Sequence, residues 1–256
     1  MKFLMLSFLL CFGVAAAAPK PIVLLLTNVD RMPSADNKVP GALNATGFYL
    51  SEAAHPYAVF RDAGYEVVFA SPEGGFAPVD PKSLDLKDKE NKIFWEAHGV
   101  TKQGRGGVEG TKQLSDLQAK DYAGIYAAGG HGTCWDFPNN RELADFISKI
   151  HAQGGVVGAV CHGPMALVGV KGPDGKPLVA GKKVAVFTNA EEKAVKLDKV
   201  VPLLLQSELE KAGARVVLAD NWSENAVRDG RLVTGQNPAS ATKSAKLFVE
   251  ALKDAK

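Results

Sequence analysis

The sequence predicts an α/β fold with a mostly parallel central sheet and helices on both faces. Two observations carry this expectation. Short apolar runs bounded by turn residues alternate with longer stretches of helical period, which is the pattern of repeated βαβ units. Several of those runs are apolar throughout, as strands buried on both faces must be. At 256 residues the chain is long enough for one large domain, expected over residues 19–256.

Residues 21–27 (PIVLLLT) read as a fully buried first strand. Residues 47–63 read as a helix, with Phe48, Ala53 or Glu52, Tyr57 and Phe60 recurring at helical spacing and Gly64 ending it. Residues 65–71 (YEVVFAS) make a second strand. From 72 to 117 the signal weakens: Pro78, Pro81, the charged run 85–89 and the glycines of 104–107 surround a short helix near 91–97. This segment reads as an excursion from the sheet that caps one side. Regularity returns with strand 122–128 (YAGIYAA), which ends in Gly129-Gly130-His131-Gly132. A helix over 141–153 and a strand over 155–160 come next, then strands at 183–187, 214–218 and 232–234. Residues 228–231 form a hairpin turn, and Pro238 starts a last helix with Ala241, Ala245, Phe248 and Leu252 on one face.

The ends and the composition exclude some roles. Formal charge is only +2, and no basic stripe carries interleaved aromatics, so neither nucleic acid nor an acidic membrane surface is indicated as partner. Residues 1–18 read as a secretory signal peptide: a lysine, an apolar run over 3–14, then small residues with cleavage favoured after Ala17. The expected product is exported and has no membrane span. It keeps Cys134 and Cys161, whose redox state the sequence leaves open.

The chemistry gathers at Cys161. Residues 156–164 read V-V-G-A-V-C-H-G-P, a buried strand running straight into a helix start, with proline where a missing N–H is harmless. The chain must reverse at Cys161 itself, which is the geometry of a nucleophile elbow. A thiol at a helix amino terminus is expected to have a lowered pKa. The His162 N–H is one candidate oxyanion donor, and the turn at Gly130 and His131 offers another. His162 is the base candidate, and either Glu191 or Glu192 can orient it. Glu52, on an apolar helical face beside His55-Pro56, is either a buried proton carrier or a solvent-facing acid. The spacings of His131, His162 and the cysteines match no zinc signature, so no metal is expected.

These residues also carry a resemblance. The blocks E-A-A-H-P (52–56), A-G-G-H-G-T-C-W-D-F-P (128–138), A-V-C-H-G-P (159–164) and D-G-R-L-V-T-G-Q-N-P-A-S (229–240) resemble the ThiJ/PfpI superfamily, in its heat-shock chaperone and glyoxalase III branch. The resemblance implies a flavodoxin-like three-layer sandwich, a homodimer, and a triad of Cys161, His162 and Glu192, with Glu52 against the nucleophile. It implies backbone oxyanion donors at Gly130 and His162, and conversion of methylglyoxal to D-lactate without glutathione or cofactor. Two other functions use the same residues: a holding chaperone with Cys161 as oxidant sensor, or a cysteine peptidase or amidase.

Overall fold

A computed structural model describes residues 18–35 and 41–255. The expected leader, to residue 17, lies outside the described residues. The strands are β1 (Ile22–Leu25), β2 (Arg31–Pro33), β3 (Leu43–Ala45), β4 (Val67–Ser71), β5 (Gly75–Pro78), β6 (Gly99–Lys102), β7 (Arg105–Gln113), β8 (Gly124–Ala127), β9 (Val156–Val160), β10 (Lys183–Val184), β11 (Arg215–Val216), β12 (Ala226–Asp229) and β13 (Leu232–Gly235). The helices are α1 (Leu50–Asp62), α2 (Lys89–His98), α3 (Thr133–Asp136), α4 (Arg141–Ala152), α5 (Asn189–Ala194), α6 (Leu205–Lys211) and α7 (Ala241–Asp254).

The main sheet runs β12-β13-β9-β8-β1-β4-β7-β5, with β6 also on β7. Every neighbouring pair from β13 to β7 is parallel, and only the margins β12, β5 and β6 run antiparallel. β1, β8 and β9 are buried along their whole length, which is why their sequences are unbroken apolar runs. The crossover β1-α1-β4 steps one way along the sheet and β8-α4-β9 steps the other. Right-handed crossovers of opposite direction put their helices on opposite faces. On one face α1 and α7 pack over Tyr126, with Phe60 and Phe248 rings 5.2 Å apart. On the other, Leu143, Phe146, Ile147 and Ile150 of α4 are buried. The direction of the strand order reverses between β1 and β8, and ligands in open α/β sheets bind beyond the strand ends at such a point.

The segment 72–117 does not leave the sheet as a cap. β7 continues it beside β4, pairing Ala70 with Lys112, and β5 and β6 flank β7. Of the glycines that read as flexible, Gly104 serves a left-handed turn at φ +75°, whereas Gly106 and Gly107 are close-approach positions: a Cβ on Gly107 would stand 2.3 Å from the Ala77 carbonyl oxygen. The strands expected at 183–187 and 214–218 shorten to β10 and β11, which pair with each other away from the main sheet. Their neighbours take other partners: Ala185 N–H donates to Thr234 Oγ1 and Phe187 N–H to the Cys161 carbonyl. α1 begins at Leu50 rather than Gly47, because Phe48 forms a bridge with Val79 instead. Among the described residues no helix is long and apolar enough to cross a membrane.

Candidate active site

Cys161 comes directly after β9 and has φ +60°, a left-handed conformation that an unbranched L-residue adopts only when its surroundings impose it. They do so here. Its N–H donates to the Gly235 carbonyl at 2.9 Å, and its own carbonyl accepts from Phe187 N–H at 3.0 Å. Two residues on, a Cβ at Gly163 would come within 2.2 Å of the Ala127 carbonyl oxygen. The expected elbow is therefore present, held by β13 on one side and by the start of the turn beyond on the other.

Beyond the elbow the chain makes a five-residue 3-10 turn, Gly163–Leu167, rather than a full α-helix. The expected lowering of the thiol pKa does not hold. Burial pushes the Cys161 thiol well above its ordinary value, and the adjacent Glu52 carboxyl pushes it further, outweighing the His162 N–H near the sulfur. In the resting site the thiol keeps its proton.

Glu52, in the first turn of α1, is fully buried rather than solvent-facing. Oε2 accepts from Gly129 N–H at 2.9 Å. Oε1 has no N–H or O–H donor, and the Cys161 thiol is the side chain with which the carboxyl interacts. Burial raises its pKa to about 8, against the lowering influence of the thiol and the Gly129 N–H. Gly129 admits this contact because a Cβ there would lie 2.6 Å from Glu52 Oε2. Gly130, at φ +105°, passes so near the Gly47 carbonyl that a Cβ would fall at 2.4 Å.

His162 is wholly buried, its Nδ1 3.4 Å from Cys161 Sγ and its Nε2 2.8 Å from Glu192 Oε2. His131 Nε2 takes the other oxygen, Oε1, at 2.9 Å. A carboxylate only accepts, so both Nε2 atoms carry the protons and His162 Nδ1 is left with a free lone pair facing the thiol. Burial favours the neutral ring of His162, and His131 nearby adds to that. Burial alone would raise Glu192, but the two imidazoles more than offset it and hold the carboxyl at about 2. The Phe187 ring lies against the His162 ring, with centroids 4.2 Å apart and planes tilted by 34°.

The two adjacent acids have different partners. Glu191 closes a capping box with Thr188, and its Oε1 accepts from Trp222 N–H, Asn237 Nδ2 and Gln236 Nε2. It has no oxygen left for a histidine. His131, expected among the oxyanion and substrate groups, lines the cavity beside Gly130, but its Nε2 is committed to Glu192. Cys134 is a separate, fully buried free thiol, not bonded to Cys161. Sequence reasoning missed Thr133, whose Oγ1 lies 2.9 Å from the Gly130 carbonyl and 3.1 Å from that of His162, tying the two turns together. It also missed Tyr49, Phe187 and Trp222, which line the cavity; nothing in local spacing marks them.

The cavity over Cys161 has a volume of about 350 Å³. A larger groove of about 750 Å³, beside Leu117, Lys120 and Phe146, contains none of these groups, so chemistry and not size selects the site. One side-chain N or O atom each of His131, His162 and Glu192 lies within 4.8 Å of the others, a proximity their separation in sequence hides.

A family model described as "DJ-1/PfpI family" matches residues 42–251. The chain belongs to this family. Within the DJ-1/PfpI family it is similar to "Glyoxalase 3" of Candida albicans, 35% identical over 240 residues that cover 90% of this chain and 97% of that protein. A protein of Saccharomyces cerevisiae named a glutathione-independent glyoxalase is 33% identical, with 93% of this chain and all of that one covered. Among solved structures, glyoxalase III from Candida albicans matches with a TM-score of 0.79 at 33% identity, covering 91% of this chain and 97% of that one. The Rapid Encystment Protein of 24 kDa from Francisella tularensis matches with a TM-score of 0.80 at 35% identity, covering 91% and 99%. The flavodoxin-like fold of the family is thus the fold of this chain, and the resemblance read from the four sequence blocks holds.

Proposed function

We propose that the protein is a glutathione-independent glyoxalase, a hydro-lyase that turns methylglyoxal into D-lactate. The observation that carries this reading is the buried Glu52 carboxyl, poised at about 8 against a thiol on a strained elbow. A group with a pKa near the working pH serves as acid and base in turn. His162 Nδ1 takes the thiol proton as sulfur adds to the aldehyde carbon, while Glu52 gives its proton to the aldehyde oxygen. The Glu52 carboxylate then withdraws the hydrogen from that carbon and delivers it to the neighbouring carbonyl carbon, while the His162 imidazolium protonates the neighbouring carbonyl oxygen and the hydroxyl on the first carbon returns its proton to Glu52. This leaves a thioester of lactate on Cys161, and water releases the acid and returns the thiol. Glu192 steadies the imidazolium. The kinship with proteins named glyoxalases supports the substrate class.

The test is lactate formation from methylglyoxal without glutathione, with Cys161→Ala and Glu52→Gln run alongside. Turnover by the unaltered chain and its loss in both variants supports the reading. An inert unaltered protein, or one whose turnover survives Cys161→Ala, sinks it. The proposal extends to an exported homodimer. The apolar run at 3–14 before the small residues of 15–18 supports export, and family kinship supports the dimer. Intact mass of the protein from its own cells reads the first, since a chain that keeps residue 1 contradicts export. Sedimentation reads the second.

A further inference from the structure

Three groups able to ligate a metal ion converge at this centre. Glu192 Oε1 is 2.9 Å from His131 Nε2, and Oε2 is 2.8 Å from His162 Nε2. All the ligating atoms fall within 4.8 Å of one another. A tetrahedral zinc ion with nitrogen and oxygen ligands at about 2.0–2.2 Å sets neighbouring ligand atoms about 3.3 Å apart. The two nitrogen–oxygen separations need open by only about half an ångström, and the three side-chain atoms, within 4.8 Å of one another, are brought to that spacing by rotation of the partly exposed His131 ring. We propose that His131, His162 and Glu192 form a binding site for a zinc-class divalent ion whose occupancy shuts the site's own chemistry off.

Two imidazoles and one carboxylate are the protein half of an open zinc site, with a further position left for water. The cavity gives the ion its path, since His131 and His162 both line it and the His131 side chain is 16% exposed. Neither neighbouring group competes. Glu191 has both oxygens engaged by its cap and by Trp222, Asn237 and Gln236. Cys161 sits at the Nδ1 side of the His162 ring, away from Nε2, so the site uses nitrogen and oxygen and no sulfur.

The switch arises from tautomers. To ligate through Nε2, His162 must move its proton to Nδ1, the atom that otherwise receives the thiol proton. A bound ion therefore leaves the ring unable to act as base and takes Glu192 away from it in the same step. No proton is gained or lost overall. The switching consequence rests on the glyoxalase reading; the binding does not.

The experiment is zinc titration of the purified full chain against a chromogenic chelator, repeated with His131→Gln and Cys161→Ala. Cobalt loaded into the unaltered chain serves as an independent optical probe. We expect one ion per chain, at least about tenfold weaker binding in His131→Gln, and unchanged affinity in Cys161→Ala. Cobalt is expected to give tetrahedral visible bands without sulfur-to-metal charge transfer, a readout no variant's folding can confound. Turnover should fall in step with zinc occupancy and return on chelation. Absent binding, binding that survives His131→Gln, or a sulfur band overturns the site. Occupancy with turnover intact overturns the switch. A chain that binds zinc this way but never turns over methylglyoxal keeps the site and sinks the functional reading.

Discussion

Glu191 and Glu192 are adjacent in α5, yet their carboxyls belong to separate networks: Glu191 binds the cap and Trp222, while Glu192 binds the two imidazoles. Their substitutions are expected to diverge. Glu192→Gln keeps one acceptor where two Nε2–H groups need one each, so turnover should fall at least about 100-fold. Glu191→Gln turns an amide N–H₂ on donors instead, which should cost on the order of 2–3 kcal/mol of stability. Urea unfolding and steady-state rates on both variants check this; equal effects on rate would contradict the division of labour.

The pH dependence of stability isolates Glu52. Its folded pKa of about 8 lies above the ordinary 4.5, so the folded chain keeps a proton that the unfolded chain has released. The stabilising contribution is complete below pH 4.5 and is lost as the pH rises through 8. Glu52→Gln removes that dependence. Its stability relative to the unaltered protein should rise between pH 5 and pH 8, by on the order of 3 kcal/mol. Parallel unfolding curves at the two pH values would show that Glu52 is not held protonated.

Backbone strain at Cys161 predicts an inverted order of substitutions. At φ +60° an L-residue carries about 1 kcal/mol that glycine does not. Cys161→Gly should therefore be more stable than Cys161→Ala by about that amount, opposite to the usual ranking within regular elements. Thermal unfolding of the pair decides it.

Trp222 tests the cavity wall. It is itself at φ +66°, lines the cavity, and its ring lies 5.7 Å from that of Phe187, tilted by 57°. Trp222→Gly fits that backbone and opens the wall. KM for methylglyoxal should rise several-fold with kcat nearly kept, because no reacting group is touched. A fall in kcat alone would place Trp222 in the chemistry instead.

Much of this was legible in the residues, for physical reasons that also mark the limit. The central strands were readable because burial on both faces demands unbroken apolar runs, as in PIVLLLT. The elbow was readable because strand, nucleophile and turn are contiguous in A-V-C-H-G-P. β5 to β7 were not, since glycine looks the same whether it gives freedom or admits a close neighbour, and Gly107 does the second. The raised thiol pKa was hidden because it comes first from burial and then from Glu52, and both act on Cys161 only in the folded chain. The residues themselves did not divide Glu191 from Glu192, and only the family resemblance favoured Glu192, because Trp222, Gln236 and Asn237 reach Glu191 from far along the chain.

The parallel sheet has a consequence for the growing polypeptide. Glu52, His131, Cys161 and Glu192 hang on different connections of that sheet, and the first and last are 192 − 52 = 140 positions apart. Such pairings form late, because long stretches of chain must be closed before they stabilise anything. A nascent chain thus carries its nucleophile before the acid that steadies its base has been made, and the elbow itself needs Gly235, translated later still. Until then the thiol lacks its activating partners, so the reactive centre is assembled at the end of synthesis, when the whole fold already surrounds it.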